Sequence, residues 1–233
     1  MQYRISDRIK CSEDGLKILK CPEEYDGILN VPSTVREIGM HAFSQCSRLT
    51  QVNIPKGITS IGTYAFSGCA MLTEMAVPDS VTSIGHGAFT RCASLTKVEI
   101  PKHISRLGQF MFQLCVQLKN IVLPENLEEI DFAAFSGCAS LESITIPEGV
   151  TKIGGNAFCG CKSLKSIYIP HTVTEIGDDI TYECQPDVAI YCEGEMSSDW
   201  SEKWNRLSSG SNGKCATTSF NVPRWWYEKF VQN

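Results

Sequence analysis

The sequence predicts an α/β-type repeat solenoid with 23-residue repeats, in which short coils of chain stack into one elongated domain. Two observations predict it. A proline recurs every 23 residues, and the stretch from 78 to 100, PDSVTSIGHGAFTRCASLTKVEI, is a template whose apolar, glycine, phenylalanine and cysteine positions return in step with it. Periods of about 20 to 50 residues are typical of solenoids. The prolines of the series are Pro32, Pro55, Pro78, Pro101, Pro124, Pro147 and Pro170.

Residues 1–31 precede the regular repeats and are predicted to form an N-terminal cap. The apolar segments 9–11 and 16–19 flank a polar turn that ends in Gly15, which indicates a β-hairpin. Residues 27–31 then have the register of a repeat strand. The cap is therefore predicted to be a hairpin plus a half repeat, which would cover the apolar face and the strand edge of the first coil.

Residues 32–192 hold seven repeats, and each contains one predicted strand. In the template, residues 95–100 alternate in polarity and end in branched apolar side chains, as half-buried strands do. With one strand per coil, neighbouring strands must stack in parallel about 4.8 Å apart into one long sheet. The return path has apolar spacings of three and four, which predict short helical turns. Such a thin outer layer predicts a shallow arc with the sheet on its concave face.

Two further series of residues define the repeat. The recurring glycine is expected to hold a backbone position with positive φ, which glycine occupies without strain. Asp131 replaces it once, and aspartate is among the few residues that tolerate that region. The recurring phenylalanine predicts a ladder of stacked rings in the core. The series are Gly39, Gly62, Gly85, Gly108, Gly154 and Gly177, and Phe43, Phe66, Phe89, Phe112, Phe135 and Phe158.

Residues 193–233 leave the repeat and are predicted to form a C-terminal cap and a tail. Asp199, with Glu202 three residues later, favours the start of a helix that lies over the last coil. Residues 208–213 have the composition of a linker. The aromatic tail 222–227 is predicted to pack either on the chain's own cap or on a partner. The apolar stripe of the predicted helix is Trp200, Trp204 and Leu207.

The 12 cysteines do not predict a disulfide framework, because most of them occupy a single repeat position. Stacked coils give neighbouring thiols parallel directions that suit the disulfide dihedral poorly, so we expect free buried thiols. Cys11 and Cys21 flank the hairpin and are the pair best placed for a bond. Cys159 and Cys161 would need two further ligands to hold zinc, so neither a metal nor a cofactor is expected. The repeated cysteines are Cys46, Cys69, Cys92, Cys115, Cys138, Cys161 and Cys184.

No arrangement of titratable residues indicates catalysis, so the chain is not expected to be an enzyme. The four histidines, His41, His86, His103 and His171, fall at variable positions between repeats. Adjacent acids such as Glu128 and Glu129 are better explained by a solvated surface than by acid–base chemistry. No glycine-rich phosphate loop follows a predicted strand.

Charge and hydropathy exclude two classes of partner. A net charge of -5 and a pI of about 5.4 provide no basic field, so no nucleic acid is expected as a partner. No window of 18 consecutive apolar residues predicts a membrane span. The first ten residues, MQYRISDRIK, lack the apolar core of a signal peptide. We therefore expect either an intracellular protein or one from which an export segment has been removed.

The pattern I-G-x-x-A-F-x-x-C-x-x-L-x-x-[VI]-x-I-P resembles the BspA-like class of bacterial leucine-rich repeats. Matches include IGTYAFSGCAMLTEMAVP from 61 to 78, IGHGAFTRCASLTKVEIP from 84 to 101 and IGGNAFCGCKSLKSIYIP from 153 to 170. The resemblance extends from about residue 9 to 207. It implies a right-handed leucine-rich repeat with a parallel sheet on its concave face. It also implies non-enzymatic surface or secreted proteins that adhere to host matrix proteins such as fibronectin and fibrinogen, or to other cells.

The outward strand positions are the predicted binding surface, because they vary while the scaffold stays the same. Tyr168 and Tyr191 lie in adjacent coils, and exposed tyrosines are effective contact residues. Alternatively, the two rings stack across strands and stiffen the sheet. The predicted ligand-binding residues are Gln51, Asn53, Glu74, Lys97, Glu99, Asn120, Thr145, Tyr168 and Tyr191.

The sequence thus leads to one functional hypothesis and two alternatives. The first hypothesis is a protein-binding module of a bacterial surface or adhesion protein, whose partner is a host matrix or cell-surface protein. An intracellular interaction scaffold is the first alternative, since no export signal is visible and thiols are abundant. A carbohydrate-binding surface is the second, and it depends on the two tyrosines alone.

Overall fold

The chain forms a parallel β-solenoid whose coils are 23 residues long. The structure is a computed structural model, and it describes residues 9–207 and 216–231. Partner residues in adjacent coils are 23 positions apart, as in the series Glu129, Lys152 and Glu175. The predicted repeat is therefore confirmed as the structural unit. The predicted linker 208–213 lies outside the described residues.

Seventeen strands and one helix are assigned in the described residues. They are β1 (Lys10–Cys11), β2 (Lys17–Lys20), β3 (Gly27–Asn30), β4 (Glu37–Ile38), β5 (Leu49–Asn53), β6 (Ser60–Ile61), β7 (Glu74–Ala76), β8 (Ser83–Ile84), β9 (Lys97–Glu99), β10 (Arg106–Leu107), β11 (Glu129–Ile130), β12 (Ser143–Thr145), β13 (Lys152–Ile153), β14 (Ser166–Ile169), β15 (Glu175–Ile176), β16 (Ala189–Cys192), β17 (Thr217–Ser219) and α1 (Arg224–Phe230).

The N-terminal hairpin and half repeat are both present. β1 and β2 pair antiparallel, and Gly15 in the turn between them has a φ of 70°. β3 pairs in parallel with β5, one coil further on. The hairpin and the half repeat therefore precede the first regular coil and pair with it.

The strands fall into two rows instead of the one continuous sheet that was predicted. The predicted row is divided into β3-β5, β7-β9 and β12-β14-β16-β17. Residues 118–124 form no strand, so the ladder stops between β9 and β12. A second row consists of the blocks β1-β2-β4-β6-β8 and β10-β11-β13-β15. Apart from the hairpin strands β1 and β2, its strands have two residues each and follow the proline turns. Sequence reasoning missed this second row because two residues are too few to show alternation.

The return path consists of hydrogen-bonded turns, and no α-helix occurs in it within the described coils. Its backbone N–H groups alternate between two kinds of acceptor. Ala42 donates to Gly39 within its own turn, whereas Phe43 donates to Ala65 in the next coil at 2.7 Å. Each return path is thus bonded both internally and to its neighbour, which explains how so few residues per coil satisfy their backbone.

The recurring glycine has a different role from the one predicted. None of the series has positive φ; that conformation occurs two and six residues later, as at His41 and Gln45. A Cβ on Gly85 would lie 2.3 Å from the backbone nitrogen of Thr63 in the preceding coil, and one on Gly154 would lie 2.5 Å from that of Phe132. The glycine is therefore required because two coils approach closely at this point, and the prediction of positive φ was wrong.

The predicted phenylalanine ladder in the core is confirmed, and the repeated cysteines form a second, mostly buried series beside it. Successive phenylalanine rings from Phe43 to Phe158 stack with centroids 5.0–5.7 Å apart, and all six are fully buried. The repeated cysteines are free thiols, and Cys69 Sγ donates to the carbonyl oxygen of Phe43 at 3.2 Å. Cys11 and Cys21 are also free thiols in this structure.

The C-terminal cap is a further coil and not the predicted helix. The backbone N–H groups of Asp179 and Ile180 donate to the carbonyl oxygens of Lys203 and Trp204 in this coil, and β17 pairs in parallel with β16. The side chains of the predicted apolar stripe are buried nonetheless. They cover the last regular coil as expected, but from an extended and turning backbone. Within the described residues, no helix is long and apolar enough to cross a membrane.

Candidate functional site

The outward positions of the longer strands form the candidate site, and we call them the strand face. It comprises the outward side chains of β3, β5, β7, β9, β12, β14 and β16, together with residues 120 and 122. Six of the predicted ligand-binding residues are exposed on it, and Thr145 is half-buried. The exposed six are Gln51, Asn53, Glu74, Lys97, Glu99 and Asn120.

At the N-terminal end, the strand face carries a chain of amide hydrogen bonds that crosses two coils. Gln51 Nε2 donates to Asn53 Oδ1 at 2.8 Å, and Asn53 Nδ2 donates to Asn30 Oδ1 at 2.7 Å. The three side chains hold one another in place, and their remaining donors and acceptors point to solvent. This end is a pre-ordered polar surface.

The centre of the strand face combines an ion pair with an exposed apolar side chain. Lys97 Nζ lies 2.7 Å from Glu99 Oε1, and the hydrogen bond to Glu99 raises the pKa of Lys97. Val122 is 87% exposed, on the segment that leaves the ladder. An open groove of about 1290 Å³ lies here, bounded by the strands around Lys97 and Ser143 and by Arg224 of α1.

The C-terminal end of the strand face is covered by α1. The Tyr227 ring packs on Tyr168 and Tyr191 with centroid distances of 5.0 and 5.3 Å, and its hydroxyl lies 2.9 Å from Ser166 Oγ. Tyr168 is fully buried and Tyr191 is half-buried. The tail therefore packs on its own chain, and the expectation that Tyr168 is exposed was wrong. The argument for a carbohydrate-binding surface depended on two exposed tyrosines, and of these only Tyr191 remains partly exposed.

Charged residues line the edge of the strand face next to α1. Arg224 lies 3.2 Å from Glu148 and 2.8 Å from Glu228. His171 Nδ1 lies 2.8 Å from Glu193 Oε2, and the hydrogen bond to Glu193 raises the pKa of His171. Burial opposes ionisation of Glu193, but its hydrogen bonds with His171 outweigh that effect and lower the pKa of Glu193.

Sequence reasoning passed over three of these charged residues, although the repeat contained the signal for them. Glu148 and His171 each follow a proline of the 23-residue series, so they occupy the same position in adjacent coils. Glu193 stands where the next proline would fall. Equivalent positions of stacked coils lie close together, so this spacing predicts that Glu148 and His171 approach each other. Glu193 is one residue out of that register, and its contact with His171 is shown only by the structure.

Two of the other histidines have structural roles. His103 Nε2 lies 2.8 Å from the carbonyl oxygen of Val81, and His86 Nδ1 accepts the N–H of Gln109. Cys161 is buried within the thiol ladder, and burial raises its pKa. Cys159 is half-buried, and burial raises its pKa as well. These groups are held in the scaffold and not gathered at an open site.

A family model described as the BspA type leucine rich repeat region matches residues 27–141 and 82–196, with six copies. Its two matches together span most of the chain and coincide with the coils that carry the strand face. Among curated proteins, no sequence relative was found.

Several solved bacterial structures resemble the chain. A leucine-rich repeat protein from Eubacterium ventriosum has a TM-score of 0.69 at 26% identity, covering 86% of this chain and 51% of that one. A leucine-rich repeat protein from Bacteroides ovatus has a TM-score of 0.58 at 25% identity, covering 91% and 72%. The T. pallidum leucine rich repeat protein shares the fold, with a TM-score of 0.54 at 21% identity over 96% and 92% of the two chains.

Proposed function

The chain belongs to the BspA-type leucine-rich repeat family, and from that premise we propose that it is a non-enzymatic module that binds a protein partner through the uncovered part of the strand face. The partner we propose is a host matrix or cell-surface protein. This would make the chain part of a bacterial adhesion or surface-interaction protein.

One observation carries the proposal: a constant backbone presents a different exposed side chain in each coil. Gln51, Glu74 and Lys97 occupy the same repeat position in the successive strands β5, β7 and β9, and all three are exposed. Buried positions of the same strands keep to apolar residues, as Met75 and Val98 do. A scaffold that fixes position while leaving chemistry free is suited to recognition of a partner surface.

The central groove supports the same region as the contact surface. Val122 offers an exposed apolar anchor, and the ion pair of Lys97 and Glu99 lines the same groove. Interfaces generally place an apolar contact at the centre and polar groups around it. The tail helix bounds the groove on the side of Arg224, so the proposed surface extends from β3 to β12.

Surface plasmon resonance on immobilised fibronectin and fibrinogen tests the proposal. We expect concentration-dependent binding by the full chain and at least a tenfold loss of affinity for Val122→Arg. Since Val122 is exposed, this change leaves folding intact. Met71→Arg is the matched control, because Met71 is an exposed side chain in the turn before β7 and off the strand face.

The possible results test the proposed partner class and the proposed contact surface separately. Equal loss of binding in Val122→Arg and Met71→Arg would reject the strand face as the contact surface. Absence of binding to both matrix proteins would reject the proposed partner class. Binding of the full chain that Val122→Arg weakens and Met71→Arg does not would support both parts of the proposal.

A further inference from the structure

Three potential metal ligands from three successive coils converge at the edge of the strand face. Glu148 follows β12, His171 follows β14 and Glu193 follows β16. His171 Nδ1 lies 2.8 Å from Glu193 Oε2 and 3.7 Å from Glu148 Oε2, and the three atoms all lie within 4.8 Å of one another. Protein ligands bind zinc at about 2.0–2.2 Å, which places neighbouring ligand atoms roughly 3–4 Å apart. The cluster needs only small side-chain movements to reach that spacing.

Two buried oxygen atoms without a hydrogen-bond partner belong to the same place. One is Glu148 Oε2, which is the ligand atom of the cluster, and the other is the Tyr168 hydroxyl. Tyr168 is fully buried, and its hydroxyl lies near the carboxylates of Glu193 and Glu148. Native proteins rarely keep buried polar atoms unpaired unless an ion or a water completes the site. These atoms therefore point to a missing ligand, independently of the spacing of the cluster.

The surroundings orient the cluster toward a cation and leave it accessible. Arg224 Nη1 binds the other carboxylate oxygen of Glu148 at 3.2 Å, so Oε2 is turned toward His171. The His171 side chain is 65% exposed. One side of the cluster thus remains open for entry of an ion and for water ligands. Arg224 balances part of the negative charge of Glu148, and the Glu193 carboxylate supplies further negative charge for an ion.

We propose that Glu148, His171 and Glu193 bind one divalent cation of the zinc class. An imidazole nitrogen with two carboxylate oxygens suits Zn²⁺, whereas Mg²⁺ and Ca²⁺ prefer ligand sets made wholly of oxygen. The bound ion joins three coils at the end of the solenoid where α1 docks. The proposal is independent of which protein the strand face binds.

Calorimetric titration of the full chain with ZnCl₂ tests the site, after removal of metals with a chelator and alkylation of accessible thiols. We expect one zinc ion per chain and at least a tenfold loss of affinity in His171→Ala and in Glu193→Gln. Zinc should raise the thermal midpoint of the parent chain and leave that of His171→Ala unchanged. His103→Ala is the matched control, since His103 is another exposed histidine, far along the chain from the cluster.

Four outcomes would overturn the proposal. The first is that the chain binds no zinc at millimolar concentration, and the second is that His171→Ala binds zinc as tightly as the parent chain. The third is that His103→Ala loses as much zinc affinity as His171→Ala. The fourth is that an equal concentration of calcium displaces the zinc completely. Circular dichroism of each variant excludes misfolding as the cause of a loss. Because His171 is exposed, His171→Ala is expected to fold even if Glu193→Gln does not.

Discussion

The Tyr227 hydroxyl lies 2.9 Å from Ser166 Oγ, and both side chains are buried between the tail helix and β14. The two residues are 61 positions apart in the chain. Their contact means that the protein's own C-terminal segment occupies the last coils of the strand face. What remains open to a partner is the part that runs from β3 through the central groove.

Replacing Tyr227 with Ala is predicted to release α1 from the strand face. Loss of a fully buried aromatic ring costs about 3–5 kcal/mol in a packed core, and a seven-residue helix does not persist without its contacts. We expect faster trypsin cleavage after Arg224 and Lys229 and faster amide exchange in β14, measured by mass spectrometry.

Tyr227→Phe is the matched control for that prediction. It keeps the ring stacking on Tyr168 and removes only the hydroxyl, which costs about 1 kcal/mol. Its cleavage rate should lie between those of the parent chain and Tyr227→Ala. If all three chains were cleaved at the same rate, the contact with Ser166 and the ring packing would not hold the helix in place.

The covered tyrosines show where prediction from the sequence stopped. The 23-residue period determines which residues stack in adjacent coils, so the phenylalanine and cysteine ladders followed from it directly. The contact of the tail with β14 does not follow from the period, because the repeat ends at residue 192 and no periodic constraint relates Tyr227 to Ser166. A single contact of long sequence separation overrode the expected exposure of Tyr168.

A side chain is predicted to be destabilising where the recurring glycine meets the backbone of the preceding coil, as Gly85 does. Gly85→Ala would place a Cβ 2.3 Å from the backbone of Thr63, which forces two coils apart and should cost about 1–3 kcal/mol. Gly160 has a φ of 69° and no atom nearer than 3.7 Å to an added Cβ. Gly160→Ala should cost about 1 kcal/mol from the left-handed backbone alone.

Substitution by asparagine distinguishes a close backbone contact from a positive φ as the cause of destabilisation, because asparagine tolerates positive φ but still carries a Cβ. Urea unfolding should show Gly160→Asn to be less destabilising than Gly160→Ala. Gly85→Asn should be at least as destabilising as Gly85→Ala. Rescue of the Gly85 site by asparagine would contradict the close-approach explanation and restore the positive-φ prediction made from the sequence.

That distinction also explains why sequence reasoning assigned the glycine incorrectly. A glycine that recurs once per coil is equally consistent with a special φ or with a close backbone contact. Only the stacking distance between adjacent coils decides between them. Asp131 was read as support for positive φ, but in the structure its carboxylate binds Arg106 and caps the N–H of Phe132.

Neighbouring phenylalanines of the ladder are predicted to be energetically coupled. Phe66 and Phe89 stack at 5.6 Å, whereas Phe43 and Phe158 lie at opposite ends of the ladder. The double change Phe66→Leu with Phe89→Leu should deviate from additivity by about 0.5–1.5 kcal/mol in the free energy of unfolding. Phe43→Leu with Phe158→Leu should be additive. Equal deviations in the two double variants would contradict direct ring stacking as the source of coupling.

The buried thiols are predicted to make stability decline at alkaline pH. Burial raises the pKa of the Cys115 thiol from 9.0 to about 12. The thiol's contribution to the free energy of unfolding is fully present below pH 9, where it is protonated in both the folded and the unfolded chain. The contribution is lost as pH rises toward 12, because only the unfolded chain then releases the proton. The loss amounts to about 1.4 kcal/mol per pH unit for this one thiol.

Urea unfolding between pH 8 and pH 10.5 should show a shallower decline in the free energy of unfolding for Cys115→Ala than for the parent chain. A Cys11→Ala variant, which alters a partly exposed thiol, should follow the parent chain closely. Parallel pH profiles for the parent chain and Cys115→Ala would show that this thiol ionises as easily in the folded chain as in the unfolded one.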